Sequence, residues 1–393
     1  MTERVVIMGP ISPAEVEHLL TGRDRSVAYS IRGYRGIPVS ELVKAFVAMD
    51  IQVEVVTEAP DVEATVELEG PRLKLFVAPM RPSARDRAKD LFRREREEMT
   101  SLLKKTEGDV IHANWTYEFA LAALDTGRPA LVTAHDAPMT IFRHVPDAYR
   151  AARTAMAWLV RMRMRQLVAV SPYLAKRWRR EMLYRREIAV IPNIAPDLRL
   201  SSPPSGSSAV KRLVTIGNSS PVKNIPALIE ALRLLRAEGR AVELDAVGPG
   251  LGLNDALAKE VRESGRGDGI EFHGALSREA LAEVLSRGAL LVHPSFEECC
   301  PTSLLEAMHA GVPIIGGLHS GGVPWVLANG EAGVLVNIKK PVEIAHGIAR
   351  LLDDEGGARV IASRAREHVA ENFSAEVVCG AYLAAYERAR AEQ

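Results

Sequence analysis

Short apolar runs alternate along most of the chain with longer stretches in which apolar positions recur every three or four residues. In the first half the short runs are residues 4–8, 51–57, 73–78, 110–113, 130–135, 167–171 and 188–191. Between them, residues 39–49, 85–105 and 148–164 carry helical periodicity. The runs are apolar almost without interruption, which is the pattern of strands covered on both faces. Strand–helix alternation of this kind predicts a doubly wound, mostly parallel α/β domain.

The rhythm stops at residues 201–208, S-S-P-P-S-G-S-S, which offer nothing apolar to bury and read as an exposed linker. It restarts with candidate strands at 213–217, 242–247, 270–272, 290–293, 313–315 and 334–336, after which only helical pattern remains. The expectation is two Rossmann-like domains, residues 1–200 and 211–372, joined by a linker at 201–210 and followed by a last helix at 373–393. In such sheets ligands bind at the carboxyl ends of the strands, so both domains would offer loops to one cleft.

Composition narrows this picture only a little. At 393 residues the chain is too long for one ordinary core, in keeping with two domains. Lys+Arg and Asp+Glu are both 50, so no electrostatic footprint of a nucleic-acid partner is present. Cys299, Cys300 and Cys379 have no zinc-site or disulfide-framework spacing. No apolar run approaches the roughly twenty residues of a membrane span, and the start lacks a signal-peptide pattern. The expectation is a soluble, cytoplasmic protein.

The densest chemical signal is H-P-S-F-E-E-C-C-P-T-S-L-L-E, residues 293–306. A strand ends at His293, a short loop follows, and a helix starts near Thr302. The unpaired N–H groups at such a start, around Thr302, Ser303 and Leu304, suit a diphosphate. Glu298 lies on the loop and Glu306 eight positions later on the helix; a carboxylate there can accept two hydrogen bonds from a vicinal diol. A second loop, Gly217-Asn218-Ser219-Ser220-Pro221-Val222-Lys223, also joins a strand to a helix, and its Lys can neutralise a leaving diphosphate. In Val247-Gly248-Pro249-Gly250-Leu251-Gly252, Leu253 stands where the third glycine of a dinucleotide fingerprint belongs. Gly248 is therefore read as a donor-side loop residue, with a tight turn as the alternative.

In the first half, Leu131-Val132-Thr133-Ala134-His135-Asp136 ends a buried-type strand in His-Asp, where a cleft residue belongs. Upstream, Ile111-His112-Ala113-Asn114-Trp115 ends another. Trp115 offers a flat apolar face to an acceptor sugar or packs in the core.

Together these segments resemble the retaining family 4 glycosyltransferases of GT-B fold. The resemblance rests on Glu298 and Glu306 as the E-x7-E pair, on Glu306-Ala307-Met308, Gly311 and Pro313 behind it, and on Ser320-Gly321-Gly322-Val323-Pro324. It extends to Ile191-Pro192-Asn193 and to Phe373-Ser374 before the last helix, which in that family crosses back to the first domain. The resemblance implies transfer of a sugar from a nucleotide-diphosphate donor, UDP- or GDP-linked, without a metal or other cofactor. It implies that Glu298 contacts the donor sugar, Glu306 the ribose and Lys223 the diphosphate, with Gly217 in the same loop. His135 would lie at the reacting carbon, orienting the donor sugar or stabilising charge through its carbonyl, with Asp136 on the acceptor side. Gly33 resembles the first glycine of the family's Gly-Gly loop, which touches diphosphate and acceptor, and Tyr34 replaces the second.

Two departures stand out. Cys299-Cys300-Pro301 replaces Gly-Phe-Gly, and Pro301 has no N–H to donate. Asn218 occupies the family's Arg position, so one positive charge is missing.

No Asp-x-Asp occurs, in keeping with a metal-free donor site. Residues 150–186 hold eleven Arg/Lys and one acid, Glu181, with Trp158, Tyr173, Trp178 and Tyr184 among them. A membrane-surface patch delivering the enzyme to a lipid-linked acceptor fits this, and so do two helices with solvated basic faces. Two rivals to transfer remain at this stage: a sugar-nucleotide epimerase of the same fold and a non-catalytic sugar-binding protein.

Overall fold

The computed structural model describes residues 4–34, 36–198, 200 and 210–391. It divides into two compact units, 1–194 with 375–393, and 195–374. The proposed linker lies almost wholly outside the described residues.

In the first unit eight strands form one sheet. They are β1 (Arg4–Met8), β2 (Gln52–Ala59), β3 (Val66–Glu69), β4 (Leu73–Pro79), β5 (Ile111–Asn114), β6 (Ala130–Ala134), β7 (Gln166–Ala169) and β8 (Ile188–Val190). Their order is β3-β4-β2-β1-β5-β6-β7-β8, and every pairing is parallel except β3 on β4. Val5, Val6, Ile7 and Met8 of β1 are at most 1% exposed, as expected of a strand covered on both faces. The edge strand β3, V-E-L-E, was not anticipated; it is short and buries only Leu68.

The second unit contains β9 (Lys211–Ile216), β10 (Val242–Val247), β11 (Ile270–Gly274), β12 (Leu290–His293), β13 (Ile314–Gly317) and β14 (Val334–Val336). The sheet is parallel throughout, in the order β11-β10-β9-β12-β13-β14. Strand order therefore reverses between β1 and β5 in one sheet and between β9 and β12 in the other. Loops leaving opposite faces part at such a point and open a crevice at the carboxyl ends of the strands.

The helix Ala375–Ala391 completes the first unit. It buries Val378, Cys379, Tyr382, Ala385, Tyr386 and Ala389, a stripe spaced three or four residues apart, and Tyr386 packs 6.0 Å from Phe46 of the helix Ile37–Ala48. The division falls earlier than residue 200 because Ala195 donates to the Phe373 carbonyl (2.8 Å) and Asp197 lies 3.2 Å from His309.

One expected helix is two. Residues 85–105 break into Ala84–Lys89 and Arg93–Leu103, because Leu91 and Phe92 both adopt left-handed backbone (φ 52° and 59°). The kink turns Phe92 into the core at 1% exposure, under the Arg87 guanidinium. No helix among the described residues is long and apolar enough to cross a membrane.

Candidate active site

In the second unit the groups gather where β9 and β12 end. His293, the last residue of β12, is 1% exposed, and its Nε2 lies 3.2 Å from Oε1 of Glu298 on the following loop. The same Oε1 is 2.5 Å from Lys223 Nζ, and the two side chains are 14% and 23% exposed. Burial alone would raise the Glu298 pKa. The charge of Lys223 and the hydrogen bond from His293 outweigh it and hold the carboxyl at about 2. Glu298 is thus a fixed, ionised acceptor. Its backbone carbonyl takes the Gly322 N–H (2.7 Å), tying this loop to the Gly-Gly-x-Pro turn.

The helix Thr302–Ala310 opens behind Pro301 without a side-chain cap. The Leu304 N–H turns back to the Pro301 carbonyl (3.2 Å), while those of Thr302 and Ser303 have no acceptor within the helix and supply anion-binding dipoles. Thr302 and Ser303 are half-buried, Leu304 is fully buried and Glu306 is 6% exposed in the second turn. Gly311, at φ 70°, ends the helix in the conformation glycine favours.

Gly217 follows β9, and Lys223 folds back against it; a Cβ on Gly217 would touch the Lys223 stem at 3.5 Å. Asn218 does not act as a charge. Its Oδ1 accepts the Ser220 N–H at 2.9 Å, closing the turn that precedes Lys223. Gly248 is set by packing: at φ 135°, a Cβ there would come 1.6 Å from the Gly217 carbonyl oxygen. The two glycine loops can lie together only because that atom is missing.

In the first unit, Met8, Asn114 and His135 stand at the ends of the adjacent strands β1, β5 and β6. Asn114 donates to the Met8 carbonyl (3.2 Å), and its Oδ1 lies 2.9 Å from His135 Nε2. Burial pulls the His135 pKa down to about 4, so the ring is neutral at pH 7. Asp136 is committed within the unit: Oδ1 accepts from Tyr117 Oη (2.7 Å) and its carbonyl from Trp178 Nε1 (3.2 Å), while burial raises its pKa.

Trp115 is half-buried with φ 70°, a costly backbone for a bulky residue. Tyr34 meets it edge-on at 5.3 Å, and Arg153 lies 5.0 Å from its ring. Gly33 (φ 61°) and Gly36 hold the Tyr34 loop against residues 10–13; a Cβ on Gly36 would sit 1.9 Å from the Pro10 carbonyl. The Gly33 N–H donates to Asp61 at 3.3 Å.

Sequence reasoning missed several of these groups. His293 was seen only as a strand end, and Gly36 and Asp61 not at all. Nor did it find the buried charges under the aromatic residues. Arg153 stacks over Tyr117 at 3.8 Å and approaches Glu118 Oε1 at 3.5 Å. The carboxyl of Glu58, fully buried at the end of β2, makes no hydrogen bond, and burial followed by the charge of Glu118 pushes its pKa well above the usual range. Alternating acidic and apolar residues in the β2 segment were the one available hint.

Part of the basic stretch is engaged within the unit. Arg153 is buried, Arg161 bonds two backbone carbonyls, Arg163 pairs with Asp125, and Arg177 with Glu181; Trp178 and Tyr184 are buried. Lys176, Arg179, Arg180, Arg185 and Arg186 are exposed. Among the described residues, one trio has metal-competent spacing, Asp245, Glu271 and His273. Arg212 bonds both of its carboxylates, at 3.1 and 2.9 Å, and fills the cation's role.

The sequence matches two family descriptions, "Glycosyltransferase Family 4" over residues 39–196 and "Glycosyl transferases group 1" over residues 205–368. It is 29% identical over 302 residues to MMP alpha-(1->4)-mannosyltransferase of Mycolicibacterium hassiacum, covering 73% of this chain and 72% of that one. It is 32% identical over 180 residues to N-acetyl-alpha-D-glucosaminyl L-malate synthase of Bacillus anthracis, a match spanning 46% of each. The fold is shared with sucrose-phosphate synthase of Thermosynechococcus elongatus (TM-score 0.75, 19% identity, all of both chains). It is shared too with Anabaena HepE in complex with UDP and glucose (TM-score 0.69, 16% identity, 98% of this chain and 100% of that).

Proposed function

The chain belongs to the family 4 glycosyltransferases of GT-B fold, and from that premise we propose that it transfers a hexose-type sugar from a nucleoside-diphosphate donor with retention, without a metal. The observation that carries the reading is the convergence of Lys223, Glu298 and an uncapped helix start at the switch point of the second sheet. A diphosphate matches the Lys223 charge and the N–H groups of Thr302 and Ser303 at the helix start, the Leu304 N–H being turned to the Pro301 carbonyl. Glu306 then accepts from the ribose diol and Glu298 from a hydroxyl of the transferred sugar. A relative named for mannosyl transfer and a neighbour solved with UDP and glucose support such a donor.

The first unit serves the acceptor, a glycan, lipid-linked or small polyhydroxy compound, with Tyr34 and Trp115 as the sugar-facing rings. His135 acts at the transferred sugar; as a neutral ring it is a hydrogen-bonding group rather than a cation.

The test separates binding from transfer. Glu306→Ala should mainly raise KM and the dissociation constant for donor, because a ribose contact is similar in ground and transition states. His135→Ala should bind nucleoside diphosphate nearly normally and transfer little sugar. The reverse pattern, measured by calorimetry beside turnover, would overturn the assignment of the donor to the second unit.

A further inference from the structure

His135 has two ring nitrogens, and the structure fixes which of them carries the proton. Asn114 is 1% exposed at the end of β5, and its Nδ2 donates to the Met8 carbonyl at 3.2 Å. Turning the amide over would bring Oδ1 against that carbonyl, oxygen facing oxygen, so the orientation is set by β1. Oδ1 is thereby aimed at His135 Nε2, 2.9 Å away, and an amide oxygen can only accept. Nε2 must be the protonated nitrogen, which leaves Nδ1 of the neutral ring with a lone pair. No group among the described residues hydrogen-bonds Nδ1, and it is not among the buried unpartnered atoms.

We propose that Asn114 is a positioning residue that locks His135 in the Nε2–H tautomer, so that Nδ1 receives a hydrogen bond from a sugar hydroxyl during transfer. The inference rests on the reading above that His135 acts in transfer, and it adds the polarity of the contact and the residue that sets it. The neighbouring His112 cannot substitute for Asn114. Its Nδ1 and Nε2 are both occupied, by Tyr386 Oη and Thr133 Oγ1, each at 2.8 Å. The ionisable groups facing His135 are few: His112 on β5 is itself neutral, held at about 3 by burial, and Asp136 is bonded to Tyr117.

The experiment uses the full chain labelled with 15N-histidine, read at pH 7 by long-range 1H–15N correlation, with His135→Ala to assign the ring. Wild type should show the Nε2–H tautomer. Asn114→Ala should lose it in favour of a mixture, and kcat should fall about tenfold or more while nucleoside-diphosphate affinity stays within twofold. Asn114→Asp keeps an acceptor beside Nε2, but its carboxylate favours the imidazolium, which places a proton on Nδ1. That variant should be poorly active at pH 7 and regain transfer as pH rises and the ring loses its proton.

An Nδ1–H tautomer in wild type, or an unchanged tautomer in Asn114→Ala, overturns the positioning role whatever the activities. The expected tautomers with transfer unchanged in both Asn114 variants would overturn the use of Nδ1. Full transfer by His135→Ala would overturn the underlying reading instead, and the spectra would still report on Asn114.

Discussion

Lys223 and Glu298 are each other's counter-ion: Nζ and Oε1 lie 2.5 Å apart, with His293 on the same oxygen. A diphosphate at the helix start must therefore compete with Glu298 for the lysine, and Asn218, bound in its turn, adds no second cation. Glu298→Gln should release Lys223 and tighten binding of nucleoside diphosphate roughly two- to tenfold, while transfer falls. Weaker diphosphate binding by this variant in calorimetry would argue that the pair supports the diphosphate rather than competing with it.

The same pair predicts acid lability. The Glu298 pKa is depressed in the folded state, to about 2, so its contribution to stability is present above the ordinary carboxylate range and lost as pH falls through about 2. By linkage that contribution is on the order of 3 kcal/mol. The stability gap between wild type and Glu298→Gln, followed by denaturant unfolding, should narrow steadily from pH 5 to pH 2. A gap independent of pH would mean the carboxyl is not held ionised.

Glu58 and Glu118 should differ sharply in what the same change costs. Burial keeps the Glu58 carboxyl protonated, so Glu58→Gln, an isostere of the neutral acid, should cost less than about 1 kcal/mol near pH 5. Since the folded pKa is raised, wild type loses stability as pH climbs above the ordinary carboxylate range, and Glu58→Gln should gain on it towards pH 8. Glu118→Gln instead strips buried Arg153 of its counter-charge, a loss of roughly 3–5 kcal/mol. Equal losses at pH 5 would refute a neutral Glu58 beside a Glu118 that supports Arg153.

Transfer should persist in excess EDTA if protein groups alone neutralise the diphosphate. A sharp loss restored by magnesium or manganese would contradict the metal-free reading.

Much of the architecture was legible because burial on both faces forces apolar continuity. Runs such as 4–8 and 242–247 therefore matched their strands to the residue. The edge strand β3 escaped because one of its faces is exposed and only Leu68 needs to be apolar. The break at Leu91 and Phe92 escaped because neither residue advertises a left-handed backbone; tertiary packing of Phe92 imposes it. Around the site, residue types and local order were readable, but partnerships were not. Met8 and Asn114 are 106 positions apart, Lys223 and Glu298 75, and only strand adjacency brings them together.

Because its last helix belongs to the first unit, the second unit is inserted within the first, between Ile194 and Ala375. The piece made first is therefore the piece finished last. On a ribosome adding about 5–20 residues per second, the 180 residues from 195 to 374 take roughly 10–35 s. For all that time the apolar side of the Ile37–Ala48 helix, Phe46 included, waits for Tyr386 and its neighbours. The second unit, a continuous segment, can be complete while the first is still open. A stop codon before residue 375 would thus damage the unit encoded at the opposite end of the gene, and a chaperone guarding the young chain would find its binding face there.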